Sequence, residues 1–134
     1  MIFNFKKQYN FKSQLNMSFK DELNAKVESF RGDIKNRSIN AFIEILKSAM
    51  IEVAEDGKKQ GTIDLDQIEF EFEDNLLYLI RHVLILTNEI DERYKDEHNG
   101  KVFLFLLKEV RKTLFFKDIY IEIDSGILEF NWFD

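Results

Sequence analysis

From Lys117 to Asp134, apolar and polar side chains alternate on either side of a short turn. Ile119, Ile121 and Ile123 alternate with Tyr120 and Glu122. Asp124-Ser125-Gly126 follows, and then Leu128, Phe130 and Trp132 alternate with Glu129 and Asn131. A period of two marks a strand with one face in the core, and two such runs around a glycine-containing turn mark a β-hairpin. With Ser125-Gly126 as a two-residue loop, Ile123 pairs with Leu128, Ile121 with Phe130 and Ile119 with Trp132. A slip of one residue would mix apolar and charged side chains on each face, so the pattern specifies its own register. The same register sets Glu122 opposite Glu129, a like-charge pair that opposes folding by up to about 1 kcal/mol.

Upstream the apolar period lengthens to that of a helix. Ser18 with Asp21 and Glu22 reads as an N-cap followed by acids in the first turn, and Phe19, Leu23, Val27 and Phe30 recur at helical spacing. Arg31-Gly32-Asp33 interrupts the pattern. Ser38 then caps a second helix, or the two segments form one long bent helix. The stripe that follows is Ile39, Phe42, Ile43, Leu46, Met50 and Val53, and Gly57 suits the helix end. Asn75 to Asp96 is the most apolar helical stretch, with Leu76, Leu77, Ile80, Val83, Leu84 and Ile90 widened by Leu79, Ile85 and Leu86. Its breadth exceeds one core face, so it is expected to be wholly enclosed, by other helices or by a second copy in a homo-oligomer through residues 76–90. Phe103, Leu106, Leu107, Val110 and Leu114 predict a further helix, although Val102 to Leu107 alone is short enough for a strand.

Thr62 to Glu73 reads as a strand in two phases. Ile63 and Leu65 alternate with Asp64 and Asp66, and then Ile68, Phe70 and Phe72 alternate with Glu69, Glu71 and Glu73. The parity changes near Asp66-Gln67, which implies a bulge or turn. A helix through Ile68, Phe72 and Leu76 competes with this reading. The elements together predict one α+β domain over residues 1–134. Its antiparallel sheet has about three strands, including the C-terminal hairpin, and three or four helices cover one face.

Composition narrows the chemistry more than the fold. At 134 residues and 16.1 kDa the chain is long enough to bury a core, and 14 Phe residues supply it. No Cys is present, which removes disulfides, thiolate zinc sites and Cys nucleophiles. No run of 18 apolar residues occurs, and Met1 to Lys7 lacks the apolar stretch of a signal peptide, so a cytoplasmic protein without membrane contact is expected. No phosphate-cradling glycine loop or nucleophile-elbow serine appears. His82 lies within the apolar helix and reads as a partnered core or interface residue. His98 lies near Glu92 and Asp96, a charged helix end better read as solvated than as a metal site. No catalytic residue, metal or cofactor is assigned, and the chain is read as non-enzymatic.

Charge divides the chain. Residues 1–60 carry a net +3 and residues 61–134 a net −9, giving −6 overall. Residues 1–17 hold Lys6, Lys7 and Lys12 among Phe3, Phe5, Tyr9 and Phe11 without an acid, and read first as a strand or helix turn docking its aromatics on the core, and alternatively as a basic N-terminal arm. Such an arm suits a nucleic-acid-associated regulator, the second functional class that the sequence supports. The acidic C-terminal half is not expected to bind DNA directly, because phosphate contacts need cations. It suits a basic protein partner instead, such as one that itself binds nucleic acid. If residues 67–73 join the hairpin sheet, Glu69, Glu71 and Glu73 stand on its outer face with Tyr120, Glu122, Glu129 and Phe133. That set is the candidate partner-binding surface. A small enzyme whose site is not legible in sequence is the third class.

Phe, Ile, Lys, Asn and Tyr make up 57 residues, against 9 for Ala, Gly and Pro together, which points to an AT-rich genome. The segments Ala54-Glu55-Asp56-Gly57, Lys58-Lys59-Gln60-Gly61-Thr62-Ile63 and Ile127-Leu128-Glu129-Phe130-Asn131-Trp132 resemble small uncharacterised phage proteins of low-GC bacteria. In those a helix precedes a strand pair ending in Trp. The resemblance implies an origin and no site residues. The expected function is that of a non-enzymatic interaction protein, for instance a phage- or plasmid-encoded inhibitor of a host or defence protein.

Overall fold

The computed structural model describes residues 18–73, 75–91 and 99–134, apart from the side chain of Phe70. The expected N-terminal arm, residues 1–17, and the group around His98 lie outside the described residues. The chain falls into two units, one ending at Asp33 and one beginning at Ile34.

Helix α1, Phe19–Glu55, contributes to both units. Ser18 caps it as expected, its Oγ accepting from Asp21 N–H at 3.0 Å. The helix runs through Arg31-Gly32-Asp33 without a break, because one glycine costs only about 1 kcal/mol against alanine. Ser38 accordingly caps nothing. It is buried inside α1 and donates its Oγ–H to Ile34 O at 2.8 Å. In the first unit Phe19, Leu23, Val27 and Phe30 are exposed, whereas from Ile34 onward Phe42, Ile45, Leu46 and Met50 are buried. The helix ends where Gly57 takes a φ of 79°. Gly57 N–H reaches Ala54 O at 2.9 Å and Lys58 N–H reaches Val53 O at 3.0 Å, a Schellman arrangement.

The second unit has an α+β fold: a three-stranded antiparallel sheet with helices packed against it. Strand β1, Gln60–Asp64, is followed without a loop by α2, Leu65–Glu71. Here the expected strand 67–73 is overturned. Asp64 accepts from Asp66 N–H at 2.9 Å and caps a helix. Leu65, Ile68 and Phe72 then fall on one buried helical face. A seven-residue run satisfied both periods, and the cap decided between them.

Helix α3, Leu76–Leu86, buries Leu76, Ile80, Val83 and Leu84. It ends ten residues before the expected Asp96, because Asn88 adopts φ 60° and Glu89 N–H closes on Leu84 O at 2.8 Å. The helix is not wholly enclosed in the single chain. Tyr78 and Leu86 are exposed and Leu79 is half-buried. His82 is exposed as well, stacked on Tyr78 with ring centroids 6.2 Å apart, rather than in the core. Helix α4, Gly100–Arg111, settles residues 102–107 as helical and buries Val102, Phe103, Leu106, Leu107 and Val110. Among the described residues no helix is long and apolar enough to cross a membrane.

Strands β2, Tyr120–Asp124, and β3, Ile127–Asn131, form the expected hairpin. Ile121 pairs with Phe130 and Ile123 with Leu128, in the register that the alternation specified. Ser125 and Gly126 both have positive φ, 53° and 80°, as the mirror-image turn of a two-residue hairpin requires. β1 pairs with β3, so the spatial order is β1-β3-β2. Ile121, Leu128 and Phe130 are buried, whereas Ile119 and Trp132 are only half-buried against the core.

Gly61 marks the tightest contact. A Cβ there would lie 2.8 Å from the Phe130 ring and 3.0 Å from Val53 Cγ1. Gly61→Ala is expected to destabilise the fold by about 1–3 kcal/mol through overpacking. Adding Phe130→Leu should then cost less than it does alone, a non-additivity that urea melts of the double-mutant cycle measure.

A second expectation concerns acid. Burial raises the pKa of Glu89, but hydrogen bonds from Lys35 and Thr87, with the charges of Lys35 and Lys108, outweigh burial and hold it below the usual carboxylate range. Lys35 Nζ lies 2.7 Å from Glu89 Oε2. A carboxyl depressed in the folded state stabilises above its unfolded pKa, and that contribution is lost as pH falls through the folded value. Lys35→Met should therefore lower stability near pH 7 by up to about 1 kcal/mol, the difference from the parent shrinking as pH falls through the lowered Glu89 pKa.

Candidate functional site

The alternation that buries Ile121, Leu128 and Phe130 turns the intervening residues to the outer face of the sheet. Three cross-strand rows result. Gln60, Asn131 and Tyr120 form one, Thr62, Glu129 and Glu122 the second, and Asp64, Ile127 and Asp124 the third. Neighbouring strands stand about 4.8 Å apart, so each row places its side chains within reach of one another. Two adjacent rows thus carry four carboxylates, and no lysine or arginine belongs to any of the three rows. Tyr120 and Ile127 are exposed beside them.

Among the described residues, one cation meets this face at its margin. Arg111, in the last turn of α4, donates from Nη2 to Glu122 Oε1 at 2.6 Å and to Ile121 O at 2.5 Å. The guanidinium offsets part of the repulsion between Glu122 and Glu129. Asp64 is tied to its capping role, and Asp124 Oδ1 accepts from Ser125 Oγ at 3.3 Å.

The expected surface is thus brought together in part. Tyr120, Glu122 and Glu129 share the sheet face. Glu69, Glu71 and Glu73 do not, because α2 replaces the strand that would have carried them. Glu69 lies on α2 and accepts from Asn99 Nδ2 at 2.9 Å. Glu73, beyond α2, is bonded by Arg37 Nη2. Glu71 is exposed at the end of α2. Phe133 is exposed past the end of β3 and lines a groove of about 790 Å³ with Met50, Ile51, Ala54 and Trp132. It stands outside the carboxylate rows.

Sequence reasoning missed Asp64, Asp124 and Arg111. Asp64 and Asp124 share the hairpin's parity and became visible once β1 was placed against β3. Arg111 carried only the weak signal of a basic residue in a last helical turn. No protein-family model, curated protein or solved structure matches the chain.

Arg111→Met removes both bonds at the β2 edge. We expect it to lower stability by about 1 kcal/mol, since the pair is half-exposed. It should also increase concentration-dependent association in sedimentation experiments, because an uncovered edge pairs with other chains.

Proposed function

We propose that this chain is a non-enzymatic interaction protein whose acidic sheet face engages a basic protein partner. One observation carries the reading. Asp64, Glu122, Asp124 and Glu129 occupy two adjacent rows of the outer face, answered among the described residues by Arg111 at its edge. Self-repulsion of this kind works against folding, and a cationic partner relieves it. Exposed Tyr120 and Ile127 add the apolar contact that charge complementarity by itself lacks. A partner that binds nucleic acid presents the required cations. The AT-rich composition fits a phage or plasmid origin, and for a chain of that origin the basic partner would be a host or defence protein that it inhibits.

Affinity capture from a low-GC bacterial lysate followed by mass spectrometry names the partner. The variant combining Glu122→Gln, Asp124→Asn and Glu129→Gln is then expected to fold, since exposed charges contribute little to stability. It should associate with that partner at least about tenfold more slowly at low salt, with a flatter salt dependence. Unchanged rate and affinity in the triple variant would refute the assignment.

A further inference from the structure

β3 has a partner on each side, so the sheet has two edges, and they differ. The bonds from Trp132 N–H to Lys59 O, 3.1 Å, and from Leu65 N–H to Gly126 O, 3.0 Å, both lie on the β1–β3 register. Hydrogen-bonded and non-bonded pairs alternate in an antiparallel ladder. Residues 59, 61, 63 and 65 therefore turn their main-chain groups toward β3, and Gln60 and Thr62 turn theirs outward. Both are exposed, and among the described residues their outward groups take no hydrogen bond. On the other edge the same alternation turns Ile121 outward, and there Arg111 occupies its carbonyl at 2.5 Å. One edge has an outward carbonyl taken by a side chain. The other is open.

Beside the open edge lies a cavity of about 270 Å³ between α1, β1 and α2. Ile45, Ala49, Val53 and Ile63 give it apolar walls, and exposed Glu52 and Glu71 give it two carboxylates. Neither carboxylate has an ion-pair partner among the described residues. A fourth strand laid along β1 would exchange hydrogen bonds with Thr62. Its neighbouring residues would then point to the inner side of the sheet, at this cavity. An aliphatic stem ending in a cation matches the walls and the charge together. A second copy pairing antiparallel about Thr62 would set its Gly61 and Ile63 opposite this cavity, and its Lys59 opposite Leu65, which does not line it.

We propose that the open edge of β1 receives an extended peptide of a partner protein by strand addition, with an inward-facing lysine or arginine of that peptide entering the cavity at Glu52 and Glu71. Main-chain bonds at Thr62 supply the docking, and the two carboxylates supply the preference. The carboxylate rows described above stand on the opposite side of the sheet, so this site does not rest on them.

The test uses the full chain and a synthetic nine-residue peptide alternating threonine with valine, one central valine being replaced by lysine. Two counterparts accompany it, one with glutamate for the lysine and one N-methylated at alternate threonines. Binding is read by calorimetry and by amide hydrogen exchange of Thr62. The lysine peptide should bind and slow exchange at Thr62, and each counterpart should bind at least about tenfold more weakly, or about 1.4 kcal/mol. Thr62→Pro removes the outward N–H without taking a bond from β3, and should lower affinity to the same degree. Glu52→Gln with Glu71→Gln should erase the preference for lysine over glutamate. Should Thr62→Pro fail to fold, the exchange and N-methyl measurements on the parent chain decide alone. Equal binding of all three peptides, or no binding of any, overturns the proposal. So does a Thr62 amide already protected without peptide, whether in a monomer or in a dimer paired through β1. The Glu122→Gln, Asp124→Asn and Glu129→Gln variant should bind the peptide as the parent does, so either site can fail without the other.

Discussion

The second unit is organised by how closely β1 approaches β3. Gly61 sits against the Phe130 ring and Val53 with no room for a Cβ. Phe130 is buried in the central strand, and Val53 lies on the last turns of α1, so one contact fixes a strand, a neighbouring strand and a helix together. Close-packed interiors respond sharply to a single added carbon. The position of β1 is thereby set, and with it the rows of the outer face and the cavity on the inner one. The aromatic pair Phe130 and Trp132, stacked with centroids 6.2 Å apart, extends this wall toward the end of the sheet.

How much of this was legible depended on how many constraints each segment carried. The hairpin was legible because ten residues of alternation and a turn needing positive φ agreed on one register. Residues 65–72 were not, because Leu65, Ile68 and Phe72 satisfy a helix while Ile68 and Phe72 also satisfy a strand. What decided the matter was the Asp64 side chain reaching Asp66 N–H, a local bond that hydrophobic patterning does not register. The end of α3 at Leu86 was hidden for a similar reason. The apolar helical spacing of Leu76 to Leu86 carries on to Ile90, yet Asn88 takes a left-handed conformation and closes the helix. Of the surface residues, Tyr120, Glu122 and Glu129 followed from the hairpin alone. The glutamates of 69–73 failed with the strand that was to carry them.

Arg111 connects the two halves of the architecture. It ends α4, meets Glu122 across the outer face and occupies Ile121 O at the β2 edge. A neutral residue there would leave Ile121 O exposed and a like-charge pair unrelieved, two separate liabilities. No comparable cation reaches β1 among the described residues. The sheet is therefore asymmetric in its polar chemistry although its three strands are equal in length.

That asymmetry has a counterpart in time. β2 and β3 are joined by two residues, so their pairing closes a small loop and belongs to the fast, local events of folding. β1 meets β3 across the whole interval from Gln60 to Asn131, with α2, α3 and α4 in between. Bringing distant segments together costs chain entropy that only later contacts repay. Chain entropy therefore favours a hairpin formed as a template before β1 arrives. Once β1 is seated, Asp64 couples it directly to α2 without an intervening loop, so detaching the strand means unravelling a helix start. The last piece to join is thereby fastened at both its ends, by Leu65 to Gly126 on one side and by Lys59 to Trp132 on the other.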